Sequence, residues 1–442
     1  MGDGRAETTI EHSATPFPSA RRVWAQRLLL LGGFVVVHLT LALINLYDTL
    51  HFPFGDVTGV YRFWMDYARD NGVLVGIDTS WVYPIGALAP IALPYLAGSE
   101  FYGQAWLVMI AALNAVAVIA LARRRLVLAW WWLLFLACLG PVAVGRIDAV
   151  SAPLAIVAVL IIARHPLAAG VLLTVAAWIK VWPAAVVAAA VIALRSRVRV
   201  VLGAAAATVA TVGAALALGA GAGVLSFVFE QTGRGLQVEA PVSIWWLASA
   251  ALGTTGAQVY YDTDILTYQV SGPGTQIVAD LMTPVLAVVV ASIVAAAGIA
   301  VRRGAERLPL FADVSLALVL AFIVVNKVGS PQFIGWLAAP VLLLLLLRGR
   351  REAGLAVTVL LVALATQAIY PWYYSALIGA EGWMVILIAA RHVVLLALLA
   401  IAVARVLAAR ATVETPRARD APAGRVPAET VPAPIRPATE GA

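Results

Sequence analysis

Long apolar stretches alternate with short polar joints along most of this chain. The apolar runs fall near 26–46, 101–122, 126–144, 149–163, 166–194, 200–222, 276–301, 308–325, 333–348, 352–370 and 382–408. Most approach the roughly 20 residues that one membrane-crossing helix takes. They are rich in Ala, Leu and Val and do not alternate, which excludes a transmembrane β-barrel. A shorter run, 84–97, holds Pro84, Pro90 and Pro94. The run 166–194 contains Lys180 and Pro183, and a break there would divide it into two short helices. The pattern predicts an all-α polytopic membrane protein with about twelve transmembrane helices.

The remaining segments read differently. Residues 1–22 and 409–442 are polar and Pro-containing and are expected to be a disordered arm and tail around a transmembrane domain at 23–408. Two long loops, 47–83 and 223–275, interrupt that domain. In the first, Val60, Phe63, Trp64 and Tyr67 follow i, i+3, i+4 and i+7 spacing, which predicts an amphipathic helix lying on the membrane surface. In the second, QVYYDTDILTYQV alternates as a short β-hairpin does.

Composition agrees: 62% of residues are hydrophobic and 12% charged, against about 25% charged in soluble domains. Soluble, disordered and fibrous classes are excluded. The net charge of +7 is foremost a topology signal, because Lys and Arg gather on the cytoplasmic side. Basic clusters occur at 123–125, 164, 195–199, 302–307 and 348–351. One arrangement places all of them inside with both termini. It keeps 84–97 re-entrant and splits 166–194. The rival lets 84–97 cross and keeps 166–194 whole, which puts Arg123–Arg125 outside; the first is preferred on the positive-inside rule. No basic face interleaved with aromatics points to nucleic acid. The single Cys138 allows neither an intramolecular disulfide nor a zinc cluster. No His, Asp or Glu cluster has ligand spacing, so neither metal nor cofactor is expected. The absence of an internal repeat weighs against a transporter or lipid flippase, the rival class for such a chain.

The preferred topology leaves isolated charges on the outer face. Asp56 stands at the start of the surface helix, either as an N-cap or as a general base facing a membrane-level cavity. Arg146 and Asp148 sit in GRIDAV, as an interfacial ion pair or as part of a site. Lys180, in AAWIKVWPA, is an intramembrane charge unless it snorkels or the helix breaks. Arg234 lies between two glycines. Asn326, Lys327, Ser330 and Gln332 form either a polar turn or part of a pocket. Four single cations, Arg146, Lys180, Arg234 and Lys327, on one face of an apolar protein would suit a lipid-linked phosphate.

In the order GDVTGVY…WVYP, GRID, KVWP, GRGLQVEAP, KVGSPQF, these motifs resemble those of glycosyltransferase family 87. That family contains actinobacterial GT-C membrane enzymes, including polyprenyl-phosphate-mannose-dependent α-mannosyltransferases. The resemblance spans roughly 25–408 and departs from the family pattern at Ile85, at Gly145–Asp148 and at Gln332. It implies a GT-C fold in the plasma membrane with its site on the extracytoplasmic face. It also implies transfer of a hexose, foremost mannose, from a polyprenyl-phosphate donor to a glycolipid or lipoglycan acceptor, with inversion. By resemblance Asp56 is the base and Lys180 contacts the donor phosphate. Arg146, Arg234 and Lys327 are expected to bind the donor phosphate together with Lys180, and Tyr61, Tyr83, Asp148 and Gln332 to bind the substrates.

Overall fold

A computed structural model describes residues 20–230, 234–254 and 256–410. The expected arm 1–22 and tail 409–442 lie almost wholly outside the described residues.

The described chain is helical apart from one hairpin. Its helices are α1 (Ala20–Tyr47), α2 (Arg62–Asn71), α3 (Tyr102–Ala122), α4 (Leu126–Leu139), α5 (Asp148–Ile161), α6 (Pro166–Ile179) and α7 (Pro183–Ala193). They continue with α8 (Arg197–Ala217), α9 (Ile244–Ala251), α10 (Thr275–Arg302), α11 (Arg307–Val324), α12 (Ala338–Arg348), α13 (Ala353–Gln367) and α14 (Gly382–Ala408). Among the described residues eight helical stretches are long and apolar enough to cross a membrane. One of them, Pro331–Trp372, turns back at Gly349 (φ +60), so that α13 packs along residues 331–348. Four apolar pieces are shorter: Ile85–Ala97, α5, α6 and α7. At 1.5 Å per residue, an 11-residue helix such as α7 spans only about 16 Å of a hydrocarbon layer about 30 Å thick. The described helices thus comprise eight long stretches and four short ones, among them the two short helices expected from the break in 166–194.

The core follows the same division. Nearly every side chain of α11 from Leu310 to Val324 is buried, as are most of α5 and α12. The flanking helices α1, α8 and α10 expose Leu and Val instead. With lipid outside, transfer from water gives little drive to pack one apolar helix on another, and close fit decides. Helices α6 and α8 show that fit. Their backbones meet at Gly170 and Gly203, where an added Cβ would strike the facing Val200 and Leu167 backbone.

Lys180 is where the run 166–194 breaks. It takes an extended conformation (φ −148, ψ 130) after α6, and Pro183 opens α7 at a position where its missing N–H costs nothing. The arginine clusters adjoin the opposite ends of these helices: Arg164 precedes α6, Arg195 follows α7, and Arg307 opens α11, whose far end leads to Lys327. The segment 85–97 begins against Trp178 at the end of α6 and ends with Tyr95 hydrogen-bonded to Asp66 of α2. Both of its ends thus stay at the Lys180 end of the bundle.

Two loops cap that end. In the first, Asp56–Tyr61 forms a π-helical turn that runs into α2. The buried stripe is Val57, Tyr61 and Met65, with Val60 and Trp64 beside it. Of the expected apolar stripe, Val60 and Trp64 pack against the core and Phe63 and Tyr67 point outward from the protein. In the second loop, β1 (Gln258–Asp262) pairs antiparallel with β2 (Thr267–Ser271), Tyr260 opposite Gln269. Residues 236–238 lie along β2, with Val238 N donating to Tyr268 O and Val270 N to Leu236 O. Gln237 N donates to Lys327 O. These bonds fix the strand that follows Arg234 between the hairpin and the 325–330 turn.

Gly203→Val would drive a branched side chain into α6, and overpacking of this kind costs about 1–3 kcal/mol. The melting temperature of the detergent-solubilised protein should fall, whereas valine at the open Gly213, which faces nothing within 4 Å, should leave it nearly unchanged.

Candidate active site

The site is built from two ion pairs and two tyrosines. Arg146 does not pair with its sequence neighbour Asp148. Its Nε lies 3.2 Å from Asp56 Oδ2, and Nη1 donates to Pro53 O at 2.7 Å and Gly145 O at 2.9 Å. Nη2 donates to the Tyr370 hydroxyl at 2.6 Å, and the guanidinium sits over the Tyr370 ring. Asp56 makes no capping bond; Gly55 holds the cap position and offers no side chain. The N-cap reading of Asp56 is therefore replaced by a salt bridge. Its carboxylate is 36% exposed, so a second molecule can reach it.

Asp148 pairs instead with Lys180, Nζ to Oδ2 at 3.7 Å. Its Oδ1 accepts a 2.6 Å bond from Trp336 Nε1. The Asp148 side chain is 5% exposed, which makes it a structural counter-ion. The partner exchange has a geometric cause. Asp148 is the first residue of α5, with Lys180 and Trp336 packed against it, whereas the Arg146 side chain lies toward the first loop.

Two phenols bridge the pairs. Lys180 Nζ lies 4.8 Å from the centre of the Tyr83 ring. The Tyr83 and Tyr61 hydroxyls are 3.4 Å apart, and Tyr61 accepts from Ile147 N at 3.3 Å. Burial raises both phenols, Tyr61 well above its ordinary value, so both remain neutral at physiological pH. The Tyr83 hydroxyl lies within electrostatic reach of Lys180, Asp56 and Asp148, of Arg146 and of Arg234.

Arg234 and Lys327 complete the arrangement from the second loop and the 325–330 turn. Burial lowers the pKa of each. For Lys327 the nearby Asp280 works against that shift, and repulsion from Arg234 adds to it. Arg234 Nε is buried without a hydrogen-bond partner among the described residues, as is Gln332 Oε1. With Asp56 and Asp148 already matched by Arg146 and Lys180, the guanidinium of Arg234, with its Nε buried and without a partner among the described residues, suits an anion. Among the described residues no three His, Cys, Asp or Glu side chains gather as metal ligands.

The family model of glycosyltransferase family 87 matches residues 81–326. This chain belongs to glycosyltransferase family 87. The matched stretch carries Tyr83, Arg146, Asp148, Lys180 and Arg234; Asp56, Lys327 and Gln332 lie outside it. No curated protein and no solved structure matches the chain. The protein is accordingly a membrane glycosyltransferase, which uses a sugar donor and an acceptor in the membrane.

Several site residues had no mark in the sequence reading. Trp336 and Tyr370 lie far along the chain from the aspartate and arginine that they contact. A further cluster sits behind Tyr374: Glu239, Arg391 and His392, each buried. Arg391 Nη1 lies 3.6 Å from Glu239 Oε2, and Arg391 donates to His392 Nε2 at 3.1 Å and to Thr366 at 3.4 Å. An arginine and a histidine inside the last apolar run were a legible signal, because ionisable groups at membrane depth need a partner or a purpose.

Burial pushes Glu239 up to about 7, against the opposing attraction of Arg391. The folded protein thus holds this proton more tightly than the unfolded chain, whose ordinary value is 4.5. The stability this contributes is complete below about pH 4.5 and is lost as pH rises through about 7. Melting temperatures measured from about pH 5 to 8 should fall with pH, and Glu239→Gln should flatten that slope.

Proposed function

We propose that this glycosyltransferase moves a hexose, mannose by family resemblance, from a polyprenyl-phosphate donor to a glycolipid or lipoglycan acceptor. The reaction is a single displacement that inverts the anomeric centre. The active site lies on the extracytoplasmic face of the plasma membrane, with both termini cytoplasmic. The observation that carries this reading is an exposed carboxylate, Asp56, held by a buried arginine in one constellation with Lys180 and Tyr83.

Asp56 takes the proton from the acceptor hydroxyl as that oxygen bonds to the anomeric carbon. The bond between that carbon and the phosphate oxygen breaks, and its electron pair leaves with the lipid phosphate. A diester with one negative charge becomes a monoester that gains a second. Lys180, Arg234 and Lys327 stabilise that growing charge, since fixed cations act most strongly where charge develops in a water-poor site. Arg146 has its donors on Asp56, two carbonyls and Tyr370. Its part is to aim Asp56. Tyr61, Tyr83 and Gln332 line the substrate side. Asp148 holds Lys180 in place.

Purified protein in detergent, without any gradient, should transfer radiolabel from polyprenyl-phosphate-mannose to glycolipid acceptors. No transfer to any acceptor would overturn the reading of the donor. Asp56→Asn keeps the shape and a hydrogen bond to Arg146 but removes the base. General-base catalysis contributes roughly 10²–10⁴-fold, and kcat should drop by that factor with donor KM nearly unchanged. Activity within about twofold of wild type would eliminate Asp56 as the base.

Lys180→Met should act on the other parameter. A charge-assisted bond contributes about 1.5–3 kcal/mol, so the donor KM of the folded protein should rise at least tenfold, and its melting temperature should fall because the buried Asp148 loses its counter-ion. An unchanged KM would reduce Lys180 to the counter-ion of Asp148.

A further inference from the structure

Between α13 and α14 the chain reads Tyr370, Pro371, Trp372, Tyr373 and Tyr374, four aromatic residues in five. An aromatic belt at the membrane surface would account for such a run if its rings faced lipid. Tyr373 does face outward with Trp383, at 53% and 48% exposed, their rings packed on each other. The other three are half-buried and meet three different segments. Tyr370 interrupts the helix with an extended backbone (φ −132, ψ 122) and lies under the Arg146 guanidinium. Trp372 meets His51 of the first loop edge to face, with 5.0 Å between ring centres. Tyr374 meets Tyr370 at 5.0 Å and Tyr268 of the hairpin at 5.8 Å.

From Tyr374 the row continues onto the hairpin. Tyr268 stands opposite Tyr261 across the two strands, their rings 4.9 Å apart, and Tyr261 is 47% exposed. Tyr261, Tyr268, Tyr374 and Tyr370 thus form one file, from the open hairpin to the guanidinium that holds Asp56. We propose that this file is the subsite for the carbohydrate end of the acceptor, with the sugar that receives the hexose at Tyr370. The inference rests on the reading of a glycosylated acceptor and of Asp56 as its base, and names where the acceptor sugars lie.

Sugar rings carry C–H groups on their faces and hydroxyls around their edges. Tyrosine offers the matching pair, an apolar ring with a polar tip, and small-molecule sites commonly join aromatic walls to a few placed polar groups. The Tyr370 hydroxyl accepts from Arg146 and still has its own O–H to give, beside the carboxylate that takes the proton. Direction follows from inversion, because the attacking oxygen arrives opposite the departing phosphate. Lys180 enters the site across Tyr83, whereas Asp56 is held from the side of Arg146 and Tyr370. The acceptor therefore comes in along the tyrosines. The ring-to-ring steps of 4.9 to 5.8 Å are close to the width of a sugar ring, so the file suits a chain of several sugars rather than one.

The test uses soluble methyl mannosides of one and three residues, which carry no lipid. Tyr261→Ala, and separately Tyr268→Leu, should raise the KM for the trisaccharide roughly three- to tenfold, since truncating an aromatic anchor commonly costs that much. The KM for the monosaccharide and the donor KM should stay as in wild type. An equal change with both acceptors, or none with either, overturns the subsite. Wild-type protein carries the second measurement, so that misfolding of a variant cannot decide the matter. A trimannoside with a diazirine on its inner residue is photolysed with it, which requires no turnover. Labelled peptides from 258–271 or 368–374 support the subsite. Labelling confined to other segments, or none, overturns it. Transfer to mannosides with labelling elsewhere leaves the transferase reading standing without the subsite. Labelling of the hairpin or the 368–374 turn in a protein that transfers no mannose overturns the donor reading and leaves the sugar site standing.

Discussion

A charge in the apolar interior of this bundle persists only with an opposite charge or strong hydrogen-bond partners around it, and most of the candidate site follows from that constraint. Arg146 and Asp148 are two residues apart in sequence, yet each is matched by a residue from another segment. Arg146 holds Asp56 from the first loop, and Asp148 holds Lys180 from the break between α6 and α7. Had the neighbours paired with each other, Lys180 would lack a counter-ion and Asp56 would lack a fixed orientation. The exchange instead draws the first loop, the start of α5 and the helix break toward one point.

That point is the Tyr83 hydroxyl. The phenols stay neutral because burial disfavours their ionised form, so they separate the two pairs without adding charge. The two aspartates, chemically alike, become different in kind. Asp56 is open to solvent on one side and faces a single guanidinium group. Asp148 is enclosed between Trp336 and Lys180. Environment rather than residue type separates the exposed carboxylate, proposed as the base, from the buried counter-ion.

The loops that complete the site are held by backbone bonds rather than by long side chains. Residues 236–238 bond to β2 on one side and to Lys327 O on the other, and Gly329 lies so close to Glu239 and Ala240 that a side chain would not fit. Behind them Glu239 meets Arg391 inside the last helix. Tyr374 lies within the field of both Glu239 and Arg146, so the electrostatics of the outer loop and of the site are linked.

Much of this protein was legible in its sequence because the responsible forces are local. Run length and composition decide that a segment is an apolar helix, and Pro183 next to Lys180 decides where 166–194 breaks. Alternation in QVYYDTDILTYQV decides the hairpin, and the ordered motifs from WVYP to GRGLQVEAP lie in the stretch that carries the family. The choice of partners was not legible, since it depends on where each side chain lies once helices far apart in the chain have packed. Spacing left Asp56 between a helix cap and a base, and Arg146 between pairing with Asp148 and serving a site. The π-helical turn, the start of α5 and the turn at Tyr370 brought the two together. The sequence by itself determined an all-α membrane glycosyltransferase and its charged residues. Only the tertiary structure decided which charge meets which, because ion pairing acts through space and carries no trace of distance along the chain.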